Sequence, residues 1–346
     1  MFKSISTWLK LLVILAGVYL LSQVTPIYLP VIVSVILAFI LNPLVTFLSQ
    51  RRLWPTRQLF GRSLAVFIAF ILSAIIAAIV MTFILVPFIS EFNTLVNNLP
   101  SLMKKIQKMT MDIQNQANFI ALAGYLPNIV DQTMSSIGSF SIDLAKKIVN
   151  SIFGLASSII ELVIVPVLTY YFLKDWQIIK ENIVFLFSQR TRDKARNIIE
   201  EMGIVVSGYI RGQFVVSFIV GFFVFCGMYG FGVEYPLVLG LLAGITEAIP
   251  IIGPIIGAVP AILLAYTVAP FLALKVAVFY FLVQQFENHI IVPNVMGQAI
   301  DLHPITVILS LLIGGQLFGI TGMVLAVPVS AILKVLLKHL WITEER

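Results

Sequence analysis

The sequence predicts an all-α polytopic membrane protein, with spanning helices, two re-entrant helical hairpins of opposite orientation and an external helical arm. Of the 346 residues, 60% are hydrophobic and 11% are charged, and the mean hydropathy is +1.03. Soluble domains carry about 25% charged and about 45–50% apolar residues. The formal net charge of +6 does not indicate nucleic acid as a partner, because the arginines and lysines flank apolar runs, as in membrane proteins generally.

A broken apolar run over residues 236–274 predicts the first re-entrant hairpin. Apart from a few hydroxyls, its one polar side chain is Glu247. A charge at the centre of a lipid-facing helix costs roughly 2.5–3.5 kcal/mol, so such an acid usually faces a cavity or a partner. Pro250, Gly253 and Pro254 then interrupt the helix, and each flank holds about 14 residues, short of the ~20 that span a bilayer. The alternative is two tilted spans with Glu247 at a headgroup.

Residues 1–90 predict N-terminal transmembrane helices with the N-terminus in the cytoplasm. Lys3 and Lys10 precede the first apolar run, which we interpret as an uncleaved span. Four arginines crowd one later loop, and cytoplasmic loops are rich in such residues. They are Arg51, Arg52, Arg57 and Arg62. This loop is therefore expected on the cytoplasmic side, which sets the orientation of the first helices in the membrane.

Residues 91–147 predict the external helical arm. Charged residues are interspersed there, and apolar residues recur at helical spacing, as at Leu102 and Ile106. The apolar stripes pack either on each other or on neighbouring subunits, and a break is expected before Pro127. Residues 148–202 predict another transmembrane helix and cytoplasmic amphipathic helices, with Asp175 as an N-cap.

Residues 203–340 form the expected transport core, and residues 341–346 are a tail. The apolar run over residues 303–340 is interrupted by glycines, and a hairpin entering from the opposite face would return Lys334 and Lys338 to the cytoplasm, as the charge rule requires. Paired interrupted segments are a sequence sign of a secondary-transporter site. The residues expected at the two hairpin tips are Pro250, Gly253, Pro254, Gly314, Gly315 and Gly319.

The sequence shows no pattern typical of an enzyme, a metal site or a cofactor site. A phosphate-binding loop of the form GxxxxGK[ST] is absent, and the three histidines do not stand at metal-ligand spacing. We therefore expect no catalytic residue, no metal and no cofactor.

A secondary transporter coupled to protons or cations is the function that these features favour. A carboxyl group in a medium of low dielectric can exchange a proton near neutral pH, so Glu247 is the first candidate for coupling. Arg211 either snorkels to the interface or pairs with Glu247 or Glu287. The amides expected to contact substrate, or alternatively to bond between helices, are Gln284, Gln285, Asn288 and Gln316. A passive channel or a membrane scaffold would fit the same features.

Five motifs stand in order in the second half of the chain. They are Y-I-R-G-Q at 209–213, E-A-I-P-I-I-G-P-I-I-G-A-V-P-A at 247–261, Q-Q-F-E-N-H-I-I-V-P at 284–293, L-H-P-I-T-V-I-L-S-L-L-I-G-G at 302–315 and F-G-I-T-G-M-V-L-A-V-P at 318–328. As a set they resemble the autoinducer-2 exporter family.

The resemblance implies a multi-pass transporter of the bacterial inner membrane that assembles as a homo-oligomer. The distribution of lysines and arginines predicts that both termini lie in the cytoplasm. Its partners would be the lipid bilayer and a small polar solute, H⁺ or Na⁺. Export of an autoinducer-2-like solute and Na⁺/H⁺ exchange both stay open, because relatives have been linked to autoinducer export, to sodium/proton antiport and to sporulation.

Overall fold

A computed structural model of the chain describes residues 25–50, 61–116, 159–297 and 302–341. Within these ranges every regular element is helical and none is a strand. Four of the described helices are long and apolar enough to cross a membrane. The prediction of an all-α polytopic membrane protein is confirmed.

Ten α-helices are described along the chain. They are α1 (Thr25–Ser49), α2 (Arg62–Val80), α3 (Val86–Gln116), α4 (Ile159–Phe185), α5 (Arg192–Gly230), α6 (Pro236–Thr246), α7 (Ile252–Val268), α8 (Pro270–Phe286), α9 (Val292–Met296) and α10 (Pro304–Trp341). Two π-helical segments, Met81–Leu85 and Glu287–Ile291, join α2 to α3 and α8 to α9. The four apolar helices lie at Tyr28–Ser49, Arg62–Asn98, Arg192–Gly230 and Pro304–His339.

The chain divides into two compact units, residues 1–69 with 152–179 and residues 70–151 with 180–346. In the first unit, α1 and α4 are joined by buried hydroxyls. Ser34 Oγ donates to the Pro30 carbonyl at 2.6 Å and lies 3.2 Å from the carbonyl oxygen of Val165. Thr169 Oγ1 donates to the Val165 carbonyl at 2.7 Å and lies 3.3 Å from that of Ser34. Hydroxyl-to-carbonyl bonds of this kind are common between helices in membranes, where lipid tails offer no partner.

The end of α4 and the beginning of α5 are connected by ion pairs within the second unit. Lys180 Nζ lies 2.8 Å from Glu200 Oε1, and an Arg196 guanidinium nitrogen lies 2.8 Å from Glu181 Oε2. The hydrogen bond from Arg196 lowers the pKa of the Glu181 carboxyl. The prediction of a helix beginning at Asp175 is wrong, because α4 continues through this residue to its contacts with α5.

The described part of the predicted arm belongs to α3 and packs on its own chain. Leu95 and Leu102 contact the main core of the second unit, which lies among α5, α6, α7 and α8. Asn98 Nδ2 donates to the Tyr235 hydroxyl at 2.9 Å. The break expected before Pro127 lies outside the described residues, as does the rest of the arm.

Helices α6 and α7 form the first helical hairpin. A β-carbon on Gly257 of α7 would lie 3.1 Å from the Cα of Ala243 in α6, so the two backbones are in close contact. Helix α5 approaches the other side of α6 equally closely, since a β-carbon on Gly244 would lie 2.8 Å from the carbonyl oxygen of Ser217. Small residues permit this packing, as is usual between membrane helices.

Helix α10 folds back on itself at Gly319, where φ is 59° and ψ is −139°. A β-carbon on Gly314 would collide with the carbonyl oxygen of Gly322, and the reverse is also true. A straight helix would separate residues eight apart by about 12 Å. Further from the break, the hydroxyls of Ser310 and Ser330 share a hydrogen bond, whereas a straight helix would separate them by about 30 Å. Helix α10 is therefore a second hairpin, although its total length would suit a single span.

Candidate functional site

The turn between α6 and α7 places Glu247 inside the protein. Helix α6 ends at Thr246, and the amide of Ile249 then donates to the Thr246 carbonyl at 2.9 Å in a tightened last turn. Pro250 has no amide hydrogen and cannot continue the helix. Glu247 lies just past the helix end and is only 2% exposed.

The tip of this turn is strained at Ile251, where φ is 69° and ψ is −50°. The amide of Ile252 donates to the Pro250 carbonyl at 2.7 Å, which closes a γ-turn of the rare type with positive φ. A β-branched residue at positive φ is a genuine outlier, and such strain costs of order 1–3 kcal/mol. At Gly253, a β-carbon would collide with the carbonyl group of Thr246. The reversal therefore needs glycine at this position.

Two neighbours hold the turn from outside. The Gln213 side-chain amide, from α5, donates to the Glu247 carbonyl oxygen at 2.7 Å. Ile249 is buried against Leu311 and Ala326, which belong to the two arms of the second hairpin. The turn that carries the acid is thus fixed between α5 and α10.

A second buried acid, Glu287, begins the π-helical segment after α8 and is 6% exposed. The amide of Val292 donates to the Glu287 carbonyl, five residues back. The Gln284 side-chain amide donates to Glu287 Oε2 at 3.0 Å. Single π-helical turns inside α-helices frequently mark functional sites.

Glu247 and Glu287 are both buried, and both line one cavity, which is described below. Burial of two acids on one cavity disfavours the ionisation of both carboxyl groups at once. Glu247 Oε2 is buried and receives a hydrogen bond from none of the residues that the structure describes.

A cavity of about 480 Å³ adjoins the two acids. Its polar lining comes from α5, the first turn, α8 and the π-helical segment, and the other described lining residues are mostly apolar. The polar side chains are Tyr209, Gln213, Glu247, Gln284, Glu287 and Asn288. Among the described lining residues there is no lysine, arginine or histidine. A mainly apolar cavity with a few convergent polar groups is the usual form of a small-ligand site.

The structure brings most of the predicted site residues together at this cavity. Glu247, Glu287, Gln284 and Asn288 line it, as do Pro250 and Pro254. Gly253 lies behind the turn against Thr246. In the second hairpin, Gly319 lies at the break, and Gly314 and Gly315 lie about one turn earlier in the first arm.

Three predicted site residues lie elsewhere. The Arg211 guanidinium donates to the backbone carbonyl and the hydroxyl of Ser207, both at 3.0 Å, and does not reach either glutamate. Gln285 and Gln316 are exposed and do not line the cavity.

Two lining residues, Tyr209 and Gln213, were missed as site residues. They stand four apart on α5 and therefore share one helix face, while Arg211 between them faces away. The spacing within the Y-I-R-G-Q motif is enough to predict that Tyr209 and Gln213 lie on one face of the helix and Arg211 on another.

Broken helical hairpins beside a cavity with a few convergent polar groups, in a chain whose described part has four helices apolar and long enough to cross a membrane, are typical of polytopic membrane proteins of the transporter class. The sequence profile of the AI-2E family transporter matches residues 9–342. The chain belongs to this family, which confirms the resemblance seen in the motifs.

Individual relatives are similar over nearly their whole lengths. YrrI of Bacillus subtilis, provisionally named a transport protein, is 28% identical over 90% of this chain and 86% of its own. PerM of Escherichia coli K12, provisionally named a permease, is 26% identical over 96% of this chain and 92% of its own length. A protein of Halobacillus andaensis named a sodium-lithium/proton antiporter is 25% identical over 92% of this chain and 90% of its own length.

Proposed function

We propose that this protein is a secondary transporter coupled to protons or cations, which exports a small polar solute or exchanges Na⁺ for H⁺. The observation that carries the proposal is the buried pair of Glu247 and Glu287 on one cavity, each next to a break in a regular helix. Intramembrane acids usually mark substrate or ion pathways and proton relays. The name of the Halobacillus relative agrees with the exchange of cations.

The acid pair would act as the proton carrier. In one state the two carboxyl groups share a proton, and in the other one carboxylate is ionised and stabilised by a cation or a polar substrate. Gln284 would orient the Glu287 carboxyl group through its hydrogen bond at 3.0 Å, and Gln213 would hold the backbone of Glu247 through its bond to the carbonyl oxygen at 2.7 Å. Asn288 lines the cavity and is free to contact the ligand.

The contact between the two hairpins would change during transport. Ile249 and Ile252 at the first turn pack against Leu311 and Ala326 of the second hairpin. This contact is small and apolar, so sliding it would expose the acid pair without breaking hydrogen bonds. Re-entrant insertion of the hairpins from opposite faces would place the cavity near the midplane, as in other transporters built from broken helices.

In this proposal the protein is a homo-oligomer in a bacterial inner membrane, with both termini in the cytoplasm. Helix α5 has 39 residues and a length of about 58 Å, well beyond the ~30 Å of hydrocarbon. Its charged beginning at Arg192 would therefore extend from the membrane on the cytoplasmic side.

Purified full-length protein in proteoliposomes tests the proposal. A pH-sensitive dye inside the vesicles reports proton movement when gradients of Na⁺, Li⁺, K⁺ or small polar metabolites are imposed. We expect at least one solute to drive protons against their gradient. Downhill flux of solute alone would identify a passive channel. No flux of any kind in oriented vesicles would favour a membrane scaffold.

A further inference from the structure

The first hairpin has a non-helical residue directly before a proline at each of its ends. Tyr235 precedes Pro236, where α6 begins, and Ala269 separates the end of α7 from Pro270, where α8 begins. When rigid elements of a protein move relative to each other, a few residues at the ends of the elements absorb the change in φ and ψ. Tyr235 and Ala269 are therefore the positions at which this hairpin can turn as one body.

The two junctions differ in backbone strain. Ala269 has a φ of −160° and a ψ of 140°, the extended conformation that a residue before proline prefers. Tyr235 has a φ of 61° and a ψ of 47°, a left-handed conformation that is uncommon for any residue except glycine. Strained conformations of this kind persist only where the surrounding structure holds them, and they are frequent in switch regions.

The chain just before Tyr235 is firmly attached to α5. The amide of Gly232 donates to the Tyr229 carbonyl at 3.1 Å, and the amide of Val233 donates to the Met228 carbonyl at 3.0 Å. Together these two bonds form a Schellman motif, which closes the end of the helix. The Val233 side chain is 3% exposed and belongs to the main core. A change in the backbone of Tyr235 would therefore move α6 and leave the end of α5 in place.

One face of the arm helix α3 contacts both sides of the strained residue. Asn98 Nδ2 donates to the Tyr235 hydroxyl at 2.9 Å. Glu91 Oε2 accepts a hydrogen bond at 3.4 Å from the amide of Val238, in the first turn of α6, where amide groups lack helical partners and favour a carboxylate. Leu95 lies between these two residues on the same face and packs on the main core. The arm thus holds the junction by polar contacts and the core by an apolar one.

We infer that Tyr235 is a hinge for movement of the first hairpin and that the arm is a strap, which keeps this hinge in its strained conformation through Asn98 and Glu91. When the strap releases, Tyr235 relaxes towards the extended conformation that Ala269 already has. Helices α6 and α7 then move together, because their backbones are in close contact. The inference rests on the proposed function only for the use of this movement in transport.

A cysteine at the far end of the hairpin reports the movement. Ile249 is 2% exposed and lies in the contact with the second hairpin, so Ile249→Cys reacts with a water-soluble maleimide only after the first hairpin has moved. The labelling rate is measured on detergent-purified full-length protein in which Cys226 is replaced by serine. Ile252→Cys, in the same contact, is the second reporter if the first lowers the folded yield. Leu186→Cys, at a residue that is 80% exposed after α4, is the control and should react equally fast in every variant.

The matched variants are Asn98→Ala and Asn97→Ala, which remove the same side chain from neighbouring exposed positions of α3. Asn98→Ala should raise the labelling rate of Ile249→Cys about fivefold, since one hydrogen bond shifts a conformational equilibrium by about this factor. Asn97→Ala should leave that rate unchanged. Tyr235→Phe should raise it as much as Asn98→Ala does. The two substitutions together should raise it no further, because both remove the same hydrogen bond.

An unchanged labelling rate of Ile249→Cys in Asn98→Ala and Tyr235→Phe would overturn the inference. An equal rise with Asn97→Ala would do the same, and so would additive effects of Asn98→Ala and Tyr235→Phe. In each case, coupled flux of the wild type in proteoliposomes would leave the proposed function standing. Faster labelling in Asn98→Ala, with no flux of any solute by the wild type, would support the strap and overturn the proposed transport.

Discussion

The two helical hairpins reverse their chain in different ways. The first places the β-branched Ile251 at a φ of 69°, whereas the second uses Gly319 at a φ of 59°, which a glycine adopts without steric cost. A β-carbon on Gly319 would meet nothing within 4 Å, but one on Gly253 of the first turn would collide with a backbone carbonyl group. Backbone strain is therefore concentrated in the hairpin that carries the buried acid, whereas tight backbone packing occurs in both hairpins.

The hairpins also differ in what they present to the cavity. The first contributes Glu247, whereas the described lining residues of the second are the apolar Val307 and Val327. The two arms of the second hairpin are connected by a hydrogen bond between the hydroxyls of Ser310 and Ser330, and Phe318 at its tip is exposed. The comparison indicates that the first hairpin forms the site and that the second supplies an apolar surface against it.

The largest difference is expected between alanine substitutions at Gly253 and Gly319. Gly253→Ala forces a β-carbon onto backbone atoms and should cost about 3 kcal/mol or more, which would strongly reduce the folded yield. Gly319→Ala has open space and should cost about 1–2 kcal/mol through its backbone conformation. Thermal unfolding in detergent measures both. An equal effect would show that the first turn is no more constrained than the second.

Cysteine labelling compares the two tips directly, after the exposed Cys226 is replaced by serine. Ile251→Cys lies on the cavity and should react with a water-soluble maleimide at a rate that falls when a transported solute is added. Gln316→Cys lies away from the cavity, and its rate should not respond. Identical responses at both positions would remove the distinction between the hairpins.

A smaller effect is expected when the strain at the first tip is relieved. Ile251→Gly should stabilise the protein by about 1 kcal/mol, because the positive φ costs glycine nothing. Ile255→Gly is the matched control, since it makes the same change at an exposed position inside α7 and should destabilise by about 0.5 kcal/mol. Thermal unfolding of both variants shows whether each substitution raises or lowers the stability of the protein. Destabilisation by Ile251→Gly would argue against stored strain.

The smallest effect is expected at the end of the second hairpin. Glu201 Oε1 lies 2.8 Å from Lys338 Nζ, and Glu201 Oε2 lies 2.6 Å from His339 Nε2. These side chains are partly exposed, so Glu201→Gln should cost at most about 1 kcal/mol. Coupled proton flux in proteoliposomes should not change, since Glu201 is not among the described lining residues of the cavity. A large loss of that flux would mean that the second hairpin does more than support the site.

Much of the fold was predictable because its signals are local. Composition gave the membrane class, and prolines and glycines within apolar runs predicted both breaks. The strained conformation of Ile251 and the π-helical segment at Glu287 arise from tertiary packing and leave no comparable pattern. Gln284 lines the cavity whereas its neighbour Gln285 does not, and a helix that is apolar on all sides gives no sign of which face is inward.

The central claim is that Glu247 couples proton movement to transport, and the most direct test compares Glu247→Gln with Glu234→Gln. Glu234 is an exposed acid in the loop before α6, so its variant controls for the loss of one carboxyl group. Both are reconstituted in proteoliposomes, and proton movement driven by solute gradients is measured between pH 6 and pH 9. The account predicts wild-type coupling for Glu234→Gln and none for Glu247→Gln, with equal folded yields. Wild-type flux and pH dependence in folded Glu247→Gln would contradict it.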